Sequence, residues 1–241
     1  MIVPPLPYSP FGRTSRTPSP PRASSEYGLI PFVTQREGED EAPDNLVILE
    51  NTPGRFRLYY SDEDPAQDRD MRGVLVTRCS FNPVDNDGRM TGKPLWKMIH
   101  PHRQIMTMQN MRCQVCAGPA RTRLGYIFLF APKDLAPDTS HVLTNQPPVC
   151  PKHARAAAAL CPPLGTDPTV FLTQSAPLYG VHGTLYGPGA EGVLAVDRPV
   201  DPLPYGHRDL PRFLASQVIR RLGSYRAVGL GQLLHSLATS G

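Results

Sequence analysis

Two short pairs of residues limit this fold more than any other feature. Cys113 and Cys116 stand with two residues between them; 33 residues later come Cys150 and His153, again with two between. Three thiols and one imidazole make a complete tetrahedral shell for Zn2+. A two-residue turn lets both side chains of a pair point at one ion while backbone N–H groups face the thiolates. A fold that uses the set must bring residues 113–116 against residues 150–153. A shell closed by four protein ligands is structural chemistry, because a catalytic zinc keeps a position for water. Its binding energy then goes into folding.

Composition sets the surroundings. The chain has 241 residues, enough for one large or two small domains. Its 29 prolines and 20 glycines favour short strands and turns over long helices. A net charge of +4 permits nucleic-acid contact but falls short of the bias of a dedicated binder. Five cysteines, an odd number, suit metal ligation better than disulfides. The opening MIVPPLPYSP has neither a charged start nor an apolar stretch, so no signal peptide is expected. No apolar run reaches about 18 residues, so no membrane span is expected. A reducing cytoplasm fits these three readings.

Along the chain, residues 1–44 read as a disordered Pro/Ser/Arg arm to about residue 27 with an acidic linker behind it. Residues 45–111 read as a sheet plus helix. Leu46–Leu49 and Phe56–Tyr60 flank the turn Asn51-Thr-Pro-Gly54, and Gly73–Thr77 is expected as a third antiparallel strand. Lys93–Met111 reads as helical, with Trp96, Ile99, Ile105, Met108 and Met111 near helical spacing and Pro101 starting a second helix. Residues 112–165 hold the ligand pairs. Between them Gly125–Phe130 is a strong strand, expected to pair with His141–Leu143, and the alanine-rich His153–Leu160 is the best local helix. In residues 166–241, strands are expected at Val170–Leu172, Leu178–Val181 and Gly192–Val196. Helices are expected near Pro211–Leu222 and Leu230–Leu237. The fold class is α+β, with small antiparallel sheets around a central finger.

The order of knuckle, apolar strand pair and ligands in a helix's first turn is the layout of a treble-clef zinc finger. Cys150 gains from the positive end of the helix that follows it. Cys150 and His153, three apart, share a helix face. Cys161 lies about 12 Å further along that helix, too far to share the ion unless the helix ends early. His141 is the other spare ligand, and Cys79 reads as a core thiol. Iron suits the same donor set.

The segments Arg112-Cys-Gln-Val-Cys116-Ala-Gly, Leu143-Thr-Asn-Gln-Pro-Pro-Val-Cys150-Pro-Lys-His153 and Leu160-Cys-Pro-Pro-Leu164 resemble those of a group of uncharacterised actinobacterial and actinophage-like proteins. That group shares a CQVC knuckle, a T-N-x-P-P-x-C-x-x-C/H segment and a downstream C-P-x-L. The resemblance covers about residues 95–165. It implies zinc-ligand roles for Cys113, Cys116, Cys150 and His153 and brings no activity. In those proteins a glycine often follows the second knuckle cysteine, where this chain has Ala117.

Four functional readings follow. The first is a non-enzymatic zinc-binding protein acting through nucleic-acid or protein contacts. Arg103, Arg112, Arg121, Arg123, Lys152 and Arg155 are candidates for phosphate contact. The second is an HNH-like nuclease, which needs a second, catalytic metal with a general-base histidine and an asparagine. His141 and Asn145 are the residues available, without an Asp-His pair. The third is an enzyme with its site outside the finger, at His100-Pro-His102, Gly180-Val-His182-Gly or Tyr205-Gly-His207-Arg-Asp209. The fourth is an assembly role for the apolar stripe Phe213, Leu214, Val218, Ile219 and Leu222, with Arg212, Arg220 and Arg221 beside it.

Overall fold

The computed structural model describes residues 28–42, 44–131, 142–160, 164, 168–190 and 192–239. The N-terminal arm, His141 and Cys161 lie outside the described residues. The fold is mixed α+β.

Its organising element is a long strand that the sequence pattern presents as a helix. Residues Phe213–Leu222 form β12, buried over most of its length. β12 pairs antiparallel with β9 (Leu178–Gly189) and, at its far end, with β7 (Val142–Thr144). It also pairs parallel with β4 (Leu75–Val76), in register Leu214 to Leu75. β10 (Gly192–Asp197) and β11 (Leu203–Pro204) add to β9. The expected helix at Pro211–Leu222 is therefore corrected to a central strand, preceded by a 3-10 turn at Leu210–Arg212. A strand covered on both faces reads as a nearly continuous apolar run. The register of β12 also shifts between Ala215 and Gln217 and between Ile219 and Arg220. The first shift places an extra residue, Ser216, in β12 and moves its alternation by one, while the second places the extra residue, Tyr179, in β9.

Gly180 and Gly183 lie in β9, where the backbones of Leu203 and Leu214 pass too close for a Cβ. His182 between them is thus part of a packed strand.

The hairpin of β2 (Leu46–Thr52) and β3 (Arg55–Tyr60) forms as expected. The third strand does not join it; β4 goes to β12, and Leu58, Tyr60, Leu75 and Leu214 make the core between hairpin and sheet. The helix expected from Lys93 begins only at Pro101. Pro94–Ile99 is β5, paired with β1 (Thr34–Arg36), and α2, the helix that follows the single turn α1 (Pro65–Asp68), spans Pro101–Gln109. Pro101 at the first helical position sets the boundary, since its missing N–H costs nothing there.

Helix α2 packs on the large sheet through Ile105 and Met108. Gln104 docks it. Its Nε2 donates to Val218 O at 2.9 Å, and its Oε1 accepts from Val218 N at 3.0 Å, as a neighbouring strand would. Arg220, expected at the margin of a helix, is buried. It donates to Met108 O at 2.8 Å, Gln109 O at 3.1 Å and Ala176 O, closing the C-terminal end of α2. Burial lowers its pKa to about 10, so it keeps its charge near neutrality.

Arg103 and Glu39 form an ion pair with both side chains only 2 % exposed. Arg103 also donates to Thr34 O at 2.7 Å and Phe32 O at 3.0 Å. Removing one partner leaves an uncompensated buried charge. Glu39→Gln is expected to lower unfolding free energy by roughly 3 kcal/mol, read by urea titration. An unchanged midpoint would show that the pair contributes nothing.

A second sheet carries the ligand-bearing region. β6 (Tyr126–Phe130) pairs with β8 (Thr169–Thr173), which pairs with β13 (Tyr225–Val228). The expected pairing of β6 with residues 141–143 is corrected: Val142–Thr144 pairs with β12 instead. Both faces of β6 are covered. Phe128 and Phe130 pack with Phe171 and Leu222, while Ile127 and Leu129 pack with Val149, Ala154 and Leu172. Helices α3 (Pro151–Leu160) and α4 (Leu230–Thr239) close the second face, as the sequence led one to expect.

Candidate metal centre

The first ligand pair sits in a tight turn just after α2. Ala117 N donates to Cys113 O, and Cys113 N donates to Gly118 O, both at 2.8 Å. Arg112 Nη1 braces the same turn at Ala117 O, 3.0 Å. Ala117 has φ of 55°, in the left-handed region that favours glycine. Ala117 therefore holds, with a Cβ in place, a conformation that favours glycine, at a cost of about 1 kcal/mol. Gly118 follows closely enough that an added Cβ would lie 3.3 Å from Cys116 Sγ.

The second pair opens α3. Cys150 O accepts from His153 N at 3.0 Å and Ala154 N at 2.9 Å, so both ligands occupy the first turn. One backbone bond joins the two pairs, Gln114 N to Pro148 O at 3.0 Å, and another, Val149 N to Ile127 O at 2.9 Å, ties the second pair to β6. Strand β6 is thus the scaffold between the pairs, through a single bridge at Val149 rather than a hairpin. Phe32 N and Val33 N donate to Val115 O and Gln114 O and hold the knuckle from its other side.

The side-chain donor atoms of Cys113, Cys116, Cys150 and His153 lie within 4.8 Å of one another, a group able to hold a metal ion. His153 Nδ1 is 3.2 Å from Cys150 Sγ and 3.7 Å from Cys113 Sγ. A tetrahedral zinc with bonds near 2.0–2.3 Å has donor edges of about 3.3–3.8 Å. The cluster therefore already has nearly the dimensions of a tetrahedral shell. Cys113 is fully enclosed, His153 is buried, and Cys116 and Cys150 are half-buried.

A hydrogen bond joins the Cys113 thiol to Cys150 Sγ. The hydrogen bond from Cys113, then the contacts with His153, lower the Cys150 thiol to about 5. Cys113, the donor in that bond and deeply buried, is pushed up. A metal bound here displaces the thiol proton, so uptake releases acid.

The basic residues near the finger divide sharply. Arg103 is spent in the core on Glu39, and Arg112 on the knuckle. Arg123 donates to Ser236 O and ties α4 to the β6 turn. Arg121 is exposed, 5.5 Å from the Tyr126 ring centroid, and Lys152 and Arg155 are exposed on α3. Asn145 donates to Gln217 Oε1 at 2.8 Å and so ties its loop to β12. His100 and His102 cluster with Phe81 instead of joining the cysteines.

No protein-family model, curated protein or solved structure matches the chain. Among the described residues, no helix is long and apolar enough to cross a membrane.

Proposed function

We propose that this chain is a non-enzymatic zinc-binding protein. In this reading Cys113, Cys116, Cys150 and His153 hold one structural Zn2+ in a treble-clef-like finger, and the surrounding surface contacts a nucleic-acid or protein partner. The observation that carries the metal reading is the convergence of four donors from two distant segments to within 4.8 Å, with two of the edges, at 3.2 and 3.7 Å, close to those of a zinc shell. Three thiolates and an imidazole favour zinc over hard cations, and four protein ligands leave zinc no open position for substrate. The partner reading rests on Arg121, Lys152 and Arg155, which stand exposed beside the finger with charge suited to phosphate.

Elemental analysis of protein purified without added metal tests the first part. One zinc per chain is expected. Metal-free protein with free or disulfide-bonded thiols would overturn it, and iron in equal amount would replace zinc as the ion. For the second part, retention on DNA or RNA that falls steeply with salt is expected of a nucleic-acid contact. Its absence at low salt would leave the protein partner.

A further inference from the structure

A cavity of about 530 Å³ lies far along the chain from the ligand pairs, between β3, the turn before β4 and the segment following β11. That volume is in the range of small-molecule sites. Its wall carries Arg57, Arg72 and His207, and its apolar lining comes from Val74, Leu210 and Pro211. We propose that this cavity binds a small organic anion: a carboxylate or phosphate group on an apolar or aromatic body.

Three observations carry the charge of that ligand. First, among the described residues neither Arg57 nor Arg72 has a carboxylate within ion-pair distance, whereas Arg69, Arg78 and Arg103 each do. Arg57 Nε is buried with no hydrogen-bond partner. A buried cationic donor left unpaired is costly, and an oxyanion relieves it. Second, the nearby carboxylates are already engaged. Asp70 accepts from the Tyr205 hydroxyl at 2.5 Å and from the backbone of Arg72 and Val74 at 2.8 and 2.9 Å. Asp209 is paired with Arg212 at 2.5 Å. Third, His207 stands on the same wall, its Nδ1 engaged by Asp209 with N at 3.3 Å and Oδ2 at 3.7 Å, and its ring adds a nitrogen able to donate to an oxyanion.

Each guanidinium also has an aromatic neighbour: Arg57 Cζ lies 5.5 Å from the Tyr59 ring centroid and Arg72 Cζ 6.0 Å from that of Tyr205. A guanidinium beside a ring keeps a planar donor edge for two-oxygen recognition of an oxyanion.

Isothermal titration calorimetry on the full chain at low ionic strength, with phenyl phosphate, benzoate, inorganic phosphate and benzyl alcohol, tests the assignment. Saturable binding is expected for phenyl phosphate or benzoate, and the tighter of the two identifies the anionic group. The neutral alcohol is expected to bind at least about tenfold more weakly, and Arg57→Gln and Arg72→Gln each to weaken the anion about tenfold. Arg72 is exposed, so its variant reads the site even if Arg57→Gln fails to fold. No saturable heat at millimolar anion, or an affinity untouched by Arg72→Gln, overturns the proposal. Inorganic phosphate binding as tightly as phenyl phosphate also overturns it, since the apolar lining would then contribute nothing.

Discussion

Cys113→Ser is expected to lower the unfolding midpoint by about 10–20 °C and to abolish stoichiometric zinc. A structural zinc supplies about 10–16 kcal/mol to small zinc-binding peptides. Losing one thiolate should forfeit about 5 kcal/mol here, at about 2–4 °C per kcal/mol for a chain of this size. The fold gives the site this leverage. Cys113 is fully enclosed among Val115, Ile127, Val149 and Ala154, where the knuckle, β6 and α3 meet. The bonds that otherwise join the two ligand segments are few, chiefly Gln114 N to Pro148 O. Cys79 supplies the control. It is equally buried, and burial pushes its thiol up to about 12, but it stands outside the four-residue cluster. Cys79→Ser loses only packing and buries a hydroxyl, at about 1–3 kcal/mol. Adding a chelator should bring the wild type down to the Cys113→Ser curve and leave that variant unmoved. Equal losses in the two serine variants, with no response to chelator, would mean that Cys113 is a core thiol and nothing more.

The cluster was legible in the sequence because ligand chemistry is local. A two-residue spacing fixes which side chains share a turn, and Cys150 with His153 needs only a helix start, which Pro151 and the alanine run provide. Pairing was not legible, because it is set by distant residues. Strand β7 follows an apolar neighbour and looks like its hairpin partner, yet Val142 faces Leu222 in register, some eighty positions away. β4 is only two residues long and lies parallel to β12, a pairing no short turn can announce. The misreading of β12 has a local cause. Leu214 to Val218 and Val218 to Leu222 are four apart and Ile219 to Leu222 three, an interval set that one bulge at Ser216 fits into a strand, and the packing that buries both faces appears only in three dimensions. Arg57 and Arg72 escaped notice for a related reason. Nothing in the surrounding sequence marks them, and they come together only because the hairpin folds over the end of the sheet. Arg103 fails in the opposite direction: counted among the surface cations, it is one of the most enclosed charges in the protein.

Lowering the pH from 7.5 to 4 is expected to cost this protein about 4–6 kcal/mol through two histidines alone. His100 is fully enclosed, its Nε2 is 3.1 Å from Ser80 O, and its Nδ1 is buried without a partner. A second proton would have to enter at Nδ1, beside the Arg103 guanidinium. Burial first, then Arg103, lowers its pKa to about 3. His102, partly covered, is lowered to about 4 by burial and by Arg78, with Asp68 opposing. Both values lie below the 6.5 of an unfolded histidine. The unfolded chain therefore binds protons that the folded chain refuses, and stability present in full above pH 6.5 falls as pH drops. The loss is about 1.4 kcal/mol per pH unit for each ring and levels off near the folded values. At pH 4 this comes to about 3 kcal/mol from His100, with less from His102 because solvent reaches it. Acid also releases a thiolate-bound metal, so the informative quantity is a difference between variants that keep the same cysteine cluster. His100→Gln retains a donor for Ser80 and removes the titration. In urea denaturation followed from pH 7.5 to 4, its stability should fall more gently than that of the wild type by about 3 kcal/mol over the range. Parallel curves would show that His100 accepts its proton inside the fold, and that the Phe81 pocket is wetter or more mobile than its burial indicates.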